Sequence, residues 1–169
     1  MPIELETKRL RLVKFREDHW EPYAAMCADP EIMRYLGTGA TLSRDDTWRA
    51  IASMLGHWQI RGYGMWALES KETGELVGRA GFLNPAGWPG FELGWTLARN
   101  HWGKGYASEA ARTALRYAFG VLKQDRVISL IRAANAPSIR VAEAIGEKHT
   151  GEVELLGAKA LVYEIRRTA

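Results

Sequence analysis

At 169 residues, with 47% apolar and 25% charged side chains, the chain fits one domain of roughly 150 residues and leaves too little for a second core. Composition this close to globular usage excludes collagen-like and low-complexity classes and argues against disorder. The formal charge of +3, from 23 basic and 20 acidic residues dispersed along the chain, argues against a nucleic-acid surface and leaves a small anionic ligand open.

The longest apolar run, Tyr23 to Ala28, falls far below the roughly 20 residues that cross a bilayer, so no membrane partner is expected. Glu4 and Glu6 stand where a secretory leader carries basic residues. The lone Cys27 makes no internal disulfide, thiolate cage or C-x-x-C pair, and no His/Cys/Asp cluster has ligand spacing. A reducing, cytoplasmic location without metal is the expectation.

Taken in chain order, Leu10 and Leu12 alternate with Arg9 and Arg11 and predict a first strand over residues 8–15. Trp20, Tyr23, Ala24 and Cys27 fall at helical spacing until Asp29-Pro30 ends the segment, which puts Cys27 on a buried stripe as an inert thiol. Ser43 and Asp46 open a second helix whose apolar face reads Trp48, Ile51, Ala52, Leu55 and Trp58 up to Gly62; Trp48 and Trp58 are expected in the core. Residues 64–69 and 76–83 read as a hairpin turned at Lys71-Glu72-Thr73-Gly74. After the loop Asn84 to Gly90 comes a strand that puts Phe91, Leu93, Trp95 and Leu97 on one face and Glu92, Gly94 and Thr96 on the other.

Gly103 and Gly105 precede a helix with an inner stripe of Ala107, Ala110, Ala111, Ala114 and Ala118, ending at Gly120. Val127 to Ile131 is a β-branched strand, and Asn135-Ala136-Pro137 starts a helix bearing Ser138, Val141, Ala142 and Ile145 on one face. Strands over 152–156 and 159–166 close the chain. This order predicts a mixed α/β (α+β) sheet of about seven strands.

Two glycines and Lys104 between a strand and a helix outline an anion site, because backbone N–H groups there turn toward one point at a helix N-terminus. An ordinary tight turn is the alternative reading. A Walker loop is disfavoured, since Lys104 is followed by Gly105 and no hydroxyl. The dinucleotide fingerprint fails at Ser108, and Asp125 lies before the next strand rather than at its end.

The run Trp102-Gly103-Lys104-Gly105-Tyr106-Ala107 with Ser108-Glu109-Ala110 resembles the acetyl-CoA pyrophosphate loop of the GNAT superfamily of N-acetyltransferases. Asn135-Ala136-Pro137-Ser138 through Ala144-Ile145-Gly146 resembles its next motif. The opening Glu6-Thr7-Lys8-Arg9-Leu10-Arg11-Leu12 is similar to the RimJ/RimL branch, which acetylates ribosomal-protein N-termini. Trp102 stands where the superfamily usually has Arg or Gln, and Glu147 stands where it has an aromatic.

This resemblance implies a single N-acetyltransferase domain over residues 1–169. Its mostly antiparallel sheet would carry helices on both faces and splay between its fourth and fifth strands. Acetyl-CoA is the implied co-substrate and an amine the acceptor, in a monomer or homodimer. The pantetheine arm would pair with backbone around Gly94, Trp95, Thr96 and Leu97, with a bulge at Gly94. Trp102, Gly103, Lys104, Gly105, Tyr106 and Ala107 would hold the pyrophosphate, and Asn135 the pantetheine or phosphate arm; Asn135 also reads as a helix cap.

An ammonium must lose a proton before it attacks, and Glu92 is the candidate base; otherwise it is a solvated strand carboxylate. His101 is the weaker candidate. Ser138 is the candidate proton donor to the departing thiolate, or else a core hydroxyl. Trp88, on a loop, is the candidate wall of the acceptor pocket. Arg140 reads as a cofactor-cleft lining or else a solvated helix face, and Arg112 and Arg116 as solvated helix faces. The competing readings are an acyl-CoA-binding sensor without turnover and a nucleotide-binding oxidoreductase.

Overall fold

In the computed structural model, which describes residues 3–169, apolar alternation organises one eight-stranded sheet among the described residues. In chain order the elements are β1 (Leu5–Glu6), β2 (Leu10–Val13), α1 (Trp20–Cys27), α2 (Pro30–Met33), α3 (Arg44–Arg61), β3 (Met65–Ser70), β4 (Leu76–Leu83) and β5 (Glu92–Leu97). They continue with α4 (Tyr106–Gly120), β6 (Arg126–Ile131), α5 (Ala136–Ala144), β7 (Lys148–Leu155) and β8 (Ala158–Arg166). The strand order is β1-β2-β3-β4-β5-β6-β8-β7, antiparallel everywhere except between β5 and β6.

One face of the sheet is covered by α4, whose Ala110, Ala111, Ala114 and Ala118 are fully buried against Leu10, Trp66 and Leu93. Residues this small let the helix lie close to the strands. The other face carries α1 and α3, packed through Tyr23, Met26, Cys27 and Ile51 onto Val13 and Ala67.

The parallel junction is the irregular one. β5 and β6 share a single register pair, Glu92 with Ile128, and the Ile128 N–H donates to the Phe91 carbonyl at 3.0 Å. β6 then follows β8 over its whole length while β5 follows β4, so the two strands part. This is the splay expected between the fourth and fifth strands; they are β5 and β6 because Leu5–Glu6 adds a two-residue strand too short to leave a periodic signal.

Four expectations need correction. No bulge forms at Gly94: the β4–β5 register runs unbroken from Gly78 and Leu97 to Leu83 and Glu92, and the irregularity lies at Leu68/Glu69 instead. The buried stripe of α3 keeps the expected Ile51 and Trp58 but takes Thr47 in place of Trp48, which is 46% exposed, and leaves Leu55 outside. A threonine at a core position, its hydroxyl donating to the Ser43 carbonyl at 2.9 Å, disguised the start of the stripe. Asp29-Pro30 both ends α1 and opens α2, with the Asp29 carboxylate capping Glu31 N–H at 2.9 Å. Finally, β7 starts at Lys148 rather than at residue 152.

Gly78 brings β4 against β5, since a Cβ there would lie 2.2 Å from the Thr96 carbonyl oxygen. Gly78→Ala is therefore expected to cost about 3 kcal/mol in urea denaturation, the upper range for overpacking. Gly56→Ala, in α3 with nothing within 4 Å, is expected to stabilise by roughly 0.5–1 kcal/mol and serves as control.

Candidate active site

Where β5 and β6 part, a cavity of about 260 Å³ opens, lined on β5 by Glu92, Gly94, Trp95 and Thr96 and on the opposite wall by Ser129, Asn135 and Ser138. Trp88 and Arg79 also line it. Strand geometry decides which backbone groups face this opening. Phe82, opposite Leu93, sends its N–H to Gly64 O on the β3 side, and the Ala98 N–H goes to Val77 O. The backbone groups of Phe91, Leu93, Trp95 and Leu97 therefore point toward β6. The Leu97 carbonyl accepts Trp102 Nε1 at 3.0 Å and the Leu93 carbonyl accepts Ser129 Oγ at 2.7 Å. Between them, the N–H and C=O of Trp95 face the gap.

Glu92 is only 8% exposed, so the solvated-carboxylate reading does not hold. Burial pushes its carboxyl up to about 7, against the opposing effects of the Trp88 hydrogen bond, the Arg79 charge and the Leu130 backbone. Trp88 Nε1 donates to Glu92 Oε2 at 2.8 Å, which joins the candidate wall to the candidate base. Arg79 donates to Tyr23 Oη at 2.9 Å and to Met65 Sδ at 3.4 Å. Thr96 Oγ1 is buried and has no hydrogen-bond partner among the described residues.

At the far end of β5 the glycine loop takes the conformation its residues allow. Gly103 and Gly105 sit at φ +73° and +80°, a region that side-chain-bearing residues rarely enter. Gly105 caps α4 without any side-chain acceptor, so the first-turn N–H groups keep the partial positive charge of an uncapped helix start. The Trp102 indole latches this loop to Leu97 while the ring stays 46% exposed. Lys104 is exposed beside it.

The sequence places Arg9 beside the first strand and within the RimJ/RimL-like opening but assigns it no contact. Its guanidinium sits 4.3 Å over the Tyr106 ring and pairs with Glu109 at 2.7 Å. Glu109 also accepts the Thr7 hydroxyl at 2.5 Å and the Arg9 N–H at 2.9 Å, so the opening motif is tied to the first turn of α4. These contacts span about a hundred residues, beyond any local pattern.

Asn135 and Ser138 meet at the start of α5, where Asn135 Oδ1 accepts the Ser138 N–H at 3.4 Å as a cap. His101 is not brought to this cavity; it lines a separate depression with Asp29 and Arg99, and burial lowers its pKa. Cys27 is buried and its thiol is pushed up by burial, away from reactivity. Arg112 donates to the Ala144 carbonyl at 2.8 Å, joining α4 to α5 rather than standing free. Two groups went unassigned by sequence: Glu147, 2% exposed and pushed up to about 8 by burial, and Ser129 beside it at 2.9 Å. Among the described residues, no group of three His, Cys, Asp or Glu has metal-site geometry, and no helix is long and apolar enough to cross a membrane.

Residues 9–148 match the acetyltransferase (GNAT) domain, and the chain belongs to that family of acyltransferase enzymes. It is 32% identical to the uncharacterized protein YkkB of Bacillus subtilis, over 95% of this chain and 94% of that one. Its fold matches an acetyltransferase from Agrobacterium tumefaciens with a TM-score of 0.88 at 30% identity, covering 99% and 96% of the two chains. Mycobacterium smegmatis RimJ, solved with CoA-disulfide, shares the fold with a TM-score of 0.80 at 15% identity, over 96% of this chain and 86% of that one.

Because the Glu92 carboxyl titrates at about 7 when folded and near 4.5 otherwise, the unfolded chain loses this proton first as pH rises. The associated stability is whole below pH 4.5 and declines until about pH 7. The stability of Glu92→Gln relative to the parent is expected to grow by about 3 kcal/mol across that window and level off above it, read from urea denaturation at stepped pH.

Proposed function

We propose that this chain, as a single domain over residues 1–169, is an acetyl-CoA-dependent N-acetyltransferase that acylates a primary amine by direct attack in a ternary complex. The observation that carries this reading is a buried carboxyl, Glu92, three residues along β5 from unclaimed backbone groups of Trp95, at the only rung shared by β5 and β6 among the described residues. The uncapped start of α4, with Gly103, Lys104, Gly105, Tyr106 and Ala107, takes the pyrophosphate, and Trp102 holds that loop in place. Trp95, flanked by Thr96 and Leu97, pairs with the pantetheine arm, and Asn135 contacts the same arm.

The acceptor arrives as an ammonium. Glu92, poised near neutrality, takes its proton directly or through one water, and the freed amine nitrogen bonds to the thioester carbon. Backbone N–H groups of β5 stabilise the oxyanion, by roughly 3 kcal/mol per donor in comparable sites. The C–S bond then breaks, the Ser138 hydroxyl gives its proton to the departing thiolate to make CoA thiol, and the proton still carried by the acylated nitrogen restores the Ser138 hydroxyl, leaving a neutral amide. Trp88 orients Glu92 and walls the acceptor side. No observation favours a sensor without turnover, since a pocket used only for binding has no use for a buried carboxyl kept near neutrality.

The Thr7 and Arg9 bonds to Glu109 give the RimJ/RimL-like opening a structural purpose, which supports that branch and with it a protein N-terminus or a small-molecule amine as acceptor. A cytoplasmic monomer or homodimer that needs no metal completes the reading.

Thiol release from acetyl-CoA over a panel of primary amines tests it. Glu92→Gln is expected to lower kcat/KM about a hundredfold and to abolish the acid limb near pH 7. Gly105→Ala, strained at φ +80°, is expected to raise KM for acetyl-CoA about tenfold while kcat holds. CoA binding without thiol release for any amine would instead establish the sensor.

A further inference from the structure

In a parallel ladder, the rung after Glu92 and Ile128 joins the Leu130 N–H to the Leu93 carbonyl. Here that rung is missing, and a side chain takes its carbonyl end: the Leu93 carbonyl accepts from Ser129 Oγ at 2.7 Å. Ser129 Oγ also lies 2.9 Å from Glu147 Oε1.

Proton counting fixes the direction of these bonds. A hydroxyl has one proton and a carbonyl oxygen only accepts. With the Ser129 proton committed to Leu93, the 2.9 Å contact is a hydrogen bond only if Glu147 supplies its proton. The surroundings agree. Glu147 is buried, and among the described residues its Oε2 has no hydrogen-bond partner and no basic group forms an ion pair with it. An ionised carboxylate there would be an uncompensated charge, whereas a neutral acid leaves one weak acceptor unbonded. The titratable groups around it are Glu92 on β5, whose charge opposes ionisation of Glu147, Arg79 beyond it on β4, Tyr163 on β8 opposite Ser129, and Glu143 on α5 near Tyr163.

We propose that Glu147 is a positioning residue for acyl transfer: as a neutral acid it donates to Ser129 Oγ, Ser129 donates to the Leu93 carbonyl, and these two bonds fix the spacing and orientation of β5 against β6 beside the gap that takes the pantetheine arm. This rests on the acetyl-transfer reading for its purpose but not for its proton assignment. An aromatic at residue 147 would fill the same space and leave the Ser129 rotor undirected.

Glu147→Gln keeps an N–H donor, Glu147→Leu keeps volume without a donor, and Ser129→Ala removes the bond to Leu93. The infrared difference spectrum of the parent minus Glu147→Gln at pH 7 is expected to show a protonated carboxyl band. Glu147→Gln should keep KM for acetyl-CoA within about twofold, while Glu147→Leu and Ser129→Ala raise it about tenfold with kcat changed less than about threefold. A carboxylate band, or Glu147→Gln as impaired as Ser129→Ala, overturns the proton assignment. Unchanged KM in both Glu147→Leu and Ser129→Ala overturns the positioning role. A parent protein that turns over no acetyl-CoA sinks the transferase reading and with it the positioning role, and the infrared band then decides the proton assignment separately.

Discussion

The parting of β5 from β6 after one shared rung governs everything else in this molecule. A continuous parallel junction would bury the backbone of Leu93, Trp95 and Leu97 in ladder bonds and leave no gap. Because β6 follows β8 and β5 follows β4, those groups must find other partners, as buried peptide groups do. Trp102 satisfies the carbonyl of Leu97 and Ser129 that of Leu93, and Trp95 between them is left facing the gap.

The same parting sets the electrostatics. It draws Glu92 and Glu147 into a poorly solvated cleft whose nearby cation, Arg79, acts on Glu92 and not detectably on Glu147. Burial therefore raises both carboxyls, with the larger upward shift on the one farther from positive charge. One gap thus yields two acids with different protonation near neutrality: one suited to exchange a proton, the other to keep it.

Local sequence carried the features with local causes. Alternation through Phe91 to Leu97 placed Glu92, Gly94 and Thr96 on a shared face, and the alanine spacing of α4 placed its buried stripe. The glycines at 103 and 105 announced backbone that only such residues adopt comfortably. What escaped depended on distance along the chain or on polar residues in apolar roles. Glu147 registered only as a departure from an aromatic, because its partner Ser129 lies 18 residues away and Leu93 a further 36. Thr47 concealed the start of the α3 stripe, and Gly94 invited a bulge that continuous pairing with β4 makes unnecessary.

The tie from Thr7 and Arg9 to Glu109 joins the leading segment of the chain to the turn proposed to grip the nucleotide. The two therefore order together or loosen together. Occupancy of the anion turn and protection of the leading residues from proteases become two readings of one equilibrium, so a fusion placed at that end perturbs ligand affinity without touching the ligand.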